Sequence, residues 1–335
     1  MEAVPQFGRG PGAASATLLG VEFIPGLELS GRFYREAVRP LLERRFPGLV
    51  HTAALIGPGS EVLGFDTARS TDHDWGPRLQ LFLHADDLAC APAVSEMLAR
   101  ELPASVCGYS TNLVPTGERG TVHMRPADGP VRHGVVVAEP GEWLTGLLGF
   151  DPAGEVDWLG TPTQVFAEAS GGAVFHDGLG VEAVRRKLAW YPDDVWRQVL
   201  ARHWHLVGEE ESFVGRCGDV GDELGSAVIA ARLTRELMRL CLLLARVYPP
   251  YSKWLGTAFA RLPCGPRLVP VLTAVLAATD WRTRERHLCE ACEIVAGLQN
   301  DAGLTEPIDP RTRPFHDRPY RVLDAGRFAD ALNLP

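Results

Sequence analysis

The residues with the clearest chemical potential lie in one run, Ala54-Leu-Ile-Gly-Pro-Gly-Ser-Glu-Val-Leu-Gly-Phe-Asp-Thr-Ala-Arg-Ser-Thr-Asp-His-Asp-Trp-Gly-Pro77. An apolar stretch leads to Gly59-Ser60, a helical turn is expected next, and Asp72 and Asp74 follow two apart where the next strand should start. Strand periodicity sends residues two apart to one face, so the spacing predicts two neighbouring carboxylates there. Such a pair repels itself unless a divalent cation neutralises it. Mg²⁺ is the hard, oxygen-seeking ion that also binds nucleotide phosphates. Gly59-Ser60 would bring backbone N–H groups and a hydroxyl close to those phosphates, where a β-carbon at position 59 would obstruct the approach.

An Asp-x-Asp pair alone carries less information. It also occurs in solvated turns, with Ser70 or Asp72 as a helix cap, and in glycosyltransferases. The order strand, Gly-Ser, helix, Asp-x-Asp is the specific part. His73 should face away from its neighbours, in a structural role. Further along, Lys253 follows the rigid Pro249-Pro250-Tyr251 turn, and Arg232 sits in a helical pattern. Both are candidates for phosphate contacts, since charge-assisted bonds to oxyanions are strong, and both read equally well as snorkelling surface cations. Glu209 to Arg216, then Asp219, Asp222 and Glu223, form an acidic cluster that reads either as a solvated helix end or as a pocket for a cationic or hydroxylated acceptor. His176-Asp177-Gly178 has the composition of a turn, and His133 lies on an apolar run as a core histidine.

These residues need elements to hold them. Residues 31–46 read as an amphipathic helix. His51–Ile56, Leu79–Leu83 and Val131–Ala138 read as strands, with helices at 91–101 and 142–148. Beyond Phe150-Asp151-Pro152 the pattern becomes helical: 181–188, 193–206, 220–246, 251–262, 268–278 and 281–299, most of them separated by Pro or Gly. The expected organisation is a flexible leader at 1–20, an α/β domain at 21–152, a helical bundle at 153–305 and an extended tail at 306–335. The fold class is thus a mixed sheet with helices, followed by an all-α bundle.

Composition narrows the function. The chain has 335 residues, is 46% hydrophobic and 22% charged, and carries a net charge of -9. That suits a globular protein with a real core and argues against duplex nucleic acid as a partner, where a basic face supplies most of the affinity. Seven cysteines without framework spacing fit free thiols in a reducing cytoplasm. The CxxC at Cys289 and Cys292 lies in a helical stretch with no second pair, so core thiols are favoured over zinc ligands. The most apolar stretch, Leu233–Val247, contains Arg235, Glu236, Arg239 and Arg246 and reads as a buried helix, not a membrane span.

The strand, Gly59-Ser60, helix, Asp72-x-Asp74 order resembles the DNA polymerase β-like nucleotidyltransferase superfamily, which includes the aminoglycoside adenylyltransferases. The phrases FIPGLELSGRFY, GFDTARSTDHDWGPRLQLFL, VFHDGLG, WYPDDVW, GRCGDVGDELGS and YPPYSKWLGTAF resemble the DUF4037 family over roughly residues 23 to 320. The resemblance implies a nucleotidyltransferase fold, Mg²⁺ and a nucleoside triphosphate, with ATP the expected one, and transfer of a nucleoside monophosphate to a hydroxylated acceptor. It implies that Asp72 and Asp74 hold the metal on the triphosphate and that Ser60 contacts its β/γ-phosphates. It also implies a third carboxylate on a later strand. The strand at 133–139 has none at its centre, which leaves Glu139 at its end and Asp128 before it, or a group from elsewhere. A protein that binds nucleotide without transferring it is the alternative.

Overall fold

The structure, a computed structural model, describes residues 22–117 and 120–333; the expected leader at 1–20 lies outside them. The chain starts with α1 (Gly26–Phe33), which runs through a π-helical stretch at Tyr34–Val38 into α2 (Arg39–Arg45). Phe33, Val38, Leu41 and Leu42 bury one face of this rod. The strands β1 (His51–Leu55) and β2 (Arg78–Leu83) follow, then α3 (Ala91–Glu101). Two small hairpins come next: β3 (Ser105–Val106) with β4 (Tyr109–Ser110), and β5 (Leu113–Pro115) with β6 (Val122–Met124). Then come β7 (Gly134–Ala138), α4 (Pro140–Leu148), α5 (Thr163–Ser170), β8 (Ala173–Asp177) and α6 (Val181–Lys187).

The four-stranded sheet has the order β7-β2-β1-β8. β1 pairs antiparallel with both β2 and β8, whereas β2 and β7 run parallel, with Arg78 opposite Gly134 and Phe82 opposite Ala138. Alternation along the strands divides the core. Ala53, Leu79, Leu81 and Leu83 pack with α1–α3, while Ala54 and Phe82 join the larger core shared with the helical region. Burial on both faces explains why β1 and β2 read as near-continuous apolar runs.

The helical region holds α7 (Asp193–Glu210), α8 (Phe213–Asp219), α9 (Glu223–Leu244), α10 (Ser252–Ala260), α11 (Gly265–Ala277) and α12 (Trp281–Asp301). A short pairing of β9 (Arg313–Pro314) with β10 (Arg321–Val322) leads to α13 (Gly326–Asn333), which packs on α7. No described helix is long and apolar enough to cross a membrane.

Three details depart from the expected layout. His176 and Asp177 end a strand rather than forming a turn, so the sheet takes its fourth strand from beyond residue 152. Glycines at 171, 172 and 178 disguise so short a strand. Gly172 adopts φ +69°, and a β-carbon there would stand 1.9 Å from the Leu55 carbonyl oxygen, which explains the glycine beside β1. The tail is not simply extended: Phe328, Ala329 and Leu332 are buried on one side of α13.

Candidate functional site

The site begins where β1 ends. The buried Gln80 side chain accepts from the Ile56 N–H and donates to its carbonyl, both at 3.0 Å, so β2 holds the exit of β1. The chain then turns through Gly57-Pro58 to Gly59, whose φ of +154° favours glycine. Beneath it, Glu61, 3% exposed, accepts from Arg78 Nε at 2.7 Å, and Arg78 also donates to the Pro58 carbonyl at 2.9 Å. The Phe65 N–H donates to the Ser60 carbonyl at 2.8 Å, closing a single turn. Asp66 Oδ2 then accepts from the Gly26 N–H at 2.7 Å and the indole of buried Trp75 at 3.1 Å, tying this loop to the start of α1.

Asp72 and Asp74 do not stand side by side on a strand. Thr67 and Ser70 form a capping box that starts a 3₁₀ turn, Ala68–Asp72, and β2 begins only after Gly76-Pro77. Asp74 has φ +49°, a left-handed conformation that Asp tolerates better than most residues. Its N–H donates to the Val122 carbonyl at 2.9 Å, and its Oδ1 accepts from the Val122 N–H at 2.8 Å. The β5–β6 hairpin thus locks Asp74 in place. His73 Nδ1 lies 2.8 Å from Asp72 Oδ1.

Turn geometry nevertheless brings the predicted residues together. Gly59, Ser60, Asp72, Asp74 and Lys253 line one cavity of about 430 Å³. Lys253 arrives from the helical region because the Thr163 hydroxyl donates to the Pro249 carbonyl at 2.7 Å and the Tyr251 N–H donates to Gln164 Oε1 at 2.9 Å. Its ammonium lies 4.8 Å from the Trp254 ring centre, and Trp254 stacks on Phe65 of the Gly59–Phe65 loop at 5.2 Å. A second cavity of about 490 Å³ opens beyond Asp72, lined by Thr71, Tyr109, His123, Met124 and Arg125 among others.

Two candidates fall elsewhere. Glu139 Oε2 accepts from the Glu142 N–H as the N-cap of α4. The parallel register puts Gly134, not Glu139, beside Arg78, so Glu139 lies at the other end of the sheet, about 16 Å along the strand. Arg232 is paired with Glu210 at 2.7 Å on α9 and lines a different cavity. His133 is held by Ser95, its Nε2 3.0 Å from the Ser95 carbonyl, and burial lowers its pKa. Asp177 accepts from the N–H groups of Val181 and Glu182 at the start of α6. In the acidic cluster, Glu211 is a buried acceptor for the Leu323 and Ala325 N–H groups. Of the CxxC pair, Cys292 is buried, and burial pushes Cys289 up to about 12.

Sequence reasoning missed Arg69, Tyr251 and Trp254, which share the cavity wall with Lys253. Arg69 lay inside the Asp72 motif, where a lone cation in a turn gives no signal of its direction. Among the described residues neither Arg69 nor Lys253 has a carboxylate partner, so both cations are available to an anion.

The donor set can be tested against a divalent ion. Asp72 and Asp74 each engage Oδ1 within the protein, and among the described residues neither Oδ2 has a hydrogen-bond partner. Among the described residues no group of three or more His, Cys, Asp and Glu could hold a metal. Two carboxylates completed by phosphate oxygens and water are an ordinary Mg²⁺ environment, so these residues fit a metal that arrives with phosphate.

No curated protein matches the chain. Residues 158–255, from the loop before α5 into α10, match the family model described as Domain of unknown function (DUF4037).

Proposed function

We propose that the chain is a Mg²⁺-dependent nucleotidyltransferase that moves a nucleoside monophosphate from a nucleoside triphosphate, ATP being the expected donor, to a hydroxyl of a small acceptor. The observation that carries this reading is the convergence of Gly59, Ser60, Asp72, Asp74 and Lys253 on one cavity. Two acids, Asp72 and Asp74, share the cavity with two cations, Arg69 and Lys253, and a glycine loop. That is the charge arrangement a metal-bound triphosphate needs.

Gly59 and Ser60 admit the β- and γ-phosphates to the loop, while Lys253 and Arg69 offset charge that the metal leaves. Asp72 and Asp74 would hold the metal, which supplies charge neutralisation on the triphosphate when bound. The acceptor sits in the second cavity, so that Asp72 lies on the boundary between the two substrates. Its hydroxyl oxygen bonds to the α-phosphorus, the bond to the bridging oxygen breaks, pyrophosphate leaves, and the hydroxyl proton passes to water. Positioning does most of this work.

A second reading, nucleotide binding without transfer, is favoured by one observation: Glu139 caps α4 and does not join Asp72 and Asp74. Incubation with each labelled triphosphate, Mg²⁺ and a metabolite extract separates the two. Asp72→Asn and Asp74→Asn should each lower label transfer about 100-fold or more. Equal transfer by all three proteins would end the proposed metal role. Metal-dependent binding of triphosphate with no transfer by the wild type would select the second reading.

A further inference from the structure

Within the matched segment, α7, α9 and the 158–163 loop enclose a separate cavity of about 340 Å³. Three guanidinium groups line it, Arg202, Arg235 and Arg239, against one carboxylate, Glu236. Both oxygens of that carboxylate are already engaged: Oε2 lies 2.7 Å from His203 Nδ1 and Oε1 2.7 Å from Arg235 Nη1. Burial works against the charge of Glu236, but the His203 hydrogen bond and the neighbouring arginines outweigh it and hold its pKa below the usual range.

Arg202 and Arg239 have no carboxylate partner among the described residues. Arg239 Nε is buried and has no hydrogen-bond partner among the described residues. Burial depresses the basicity of Arg239, and the charges of Arg235 and Arg202 add to that effect. An orphaned buried donor is costly to fold around, and three guanidiniums against one carboxylate leave an excess of two positive charges in the lining. The rim differs. Trp158 packs edge-on against Tyr191 at 5.7 Å, and Leu159 and Leu206 are 56% and 39% exposed. A basic wall beside an apolar rim suits an anion that carries an apolar body.

We propose that this cavity binds a phosphate monoester with a planar apolar body, the phosphate on Arg202, Arg235 and Arg239 and the body against Trp158, Leu159 and Leu206. A phosphate monoester carries about −1.5 to −2 at neutral pH and three acceptor oxygens, which matches the charge excess. A carboxylate supplies only one charge. Planar guanidinium forks are suited to phosphate oxygens. The site is independent of the Asp72 cavity and of any transfer reaction there.

Isothermal titration calorimetry on the full chain with phenyl phosphate, inorganic phosphate and benzoate tests the assignment. Phenyl phosphate should bind saturably and about tenfold or more tighter than either of the others, since one tenfold step needs only about 1.4 kcal/mol. Arg239→Gln should weaken it by about the same factor. Arg202→Gln, on an exposed residue with little demand on folding, should do so too, with thermal unfolding confirming that each variant folds. Arg69→Gln removes a cation from the other cavity and reports whether the titration reads that site instead. The assignment fails if no saturable binding occurs across the millimolar range, or if benzoate binds as tightly as phenyl phosphate. It also fails if Arg69→Gln abolishes the signal while Arg202→Gln retains it.

Discussion

At Gly59 a β-carbon would stand 2.4 Å from Arg78 Nη2 and 2.8 Å from Glu61 Oε2, on a backbone with φ +154°. The glycine is therefore required twice, by its conformation and by the ion pair beneath it. Gly59→Ala should destabilise the fold by about 1–3 kcal/mol in denaturant unfolding, through strain at a conformation that L residues rarely adopt. It should also weaken triphosphate binding, because the loop must shift to clear Arg78. An alanine variant with wild-type stability and wild-type triphosphate affinity would contradict both roles. Motif order in the sequence identified Gly59, Ser60, Asp72 and Asp74. Local periodicity did not describe how the two aspartates reach one cavity, since a 3₁₀ turn and a left-handed Asp74 place them there instead of a strand.

At the scale of elements, α13 is docked through one buried carboxylate. Glu211 closes α7 and accepts from the Leu323, Asp324 and Ala325 N–H groups at 2.6, 3.2 and 2.8 Å. Burial pushes its carboxyl up to about 7 from an ordinary 4.5, against the three N–H groups, which favour the charged form. The folded chain thus retains a proton that the unfolded chain releases. Stability from this group is fully present below pH 4.5 and is lost as pH rises through about 7. Glu211→Gln does not titrate. The difference in unfolding free energy between wild type and Glu211→Gln should therefore move in favour of the variant by about 3 kcal/mol between pH 4.5 and 8. A difference that stays flat with pH would show that Glu211 folds as an ordinary ionised carboxylate. Nothing in the local pattern of the tail revealed this partnership, because Glu211 and Ala325 are joined only by the packing of α13 on α7.

For the whole molecule, the decisive contact is α10 against the Gly59–Phe65 loop. Trp254 stacks on Phe65 from one side, and Arg261 lies 4.6 Å over the same ring while its Nη1 donates to the Gly64 carbonyl at 2.8 Å. The Gly59–Phe65 loop thus rests on the helical region that presents Lys253. Trp254→Ala should cost about 1–2 kcal/mol of stability through the lost aromatic pair and its buried area. It should weaken triphosphate binding by more than that loss of folded population explains, since Lys253 and the loop both shift. Calorimetric titration well below the melting temperature checks this, and unchanged affinity would show that the loop stands without the helical region.

The sequence alone determined much of the local order. Continuous apolar runs marked β1 and β2, Pro and Gly breaks marked most helices, and the Gly-Ser and Asp-x-Asp spacing marked the cavity that Lys253 completes. These signals are legible because they arise from neighbours in the chain, where periodicity and turn chemistry act. Tertiary structure alone decided the rest. The parallel register of β2 and β7 carried Glu139 to the far end of the sheet, and Glu210 drew Arg232 away from the site. Arg69 was placed on the same cavity wall as Lys253, and the hairpin residue Val122 clamped Asp74. Each of these depends on groups distant in sequence meeting in space, which no local pattern encodes. The Gly59-Ser60 to Asp74 segment therefore names its own residues, whereas the company they keep is set by packing.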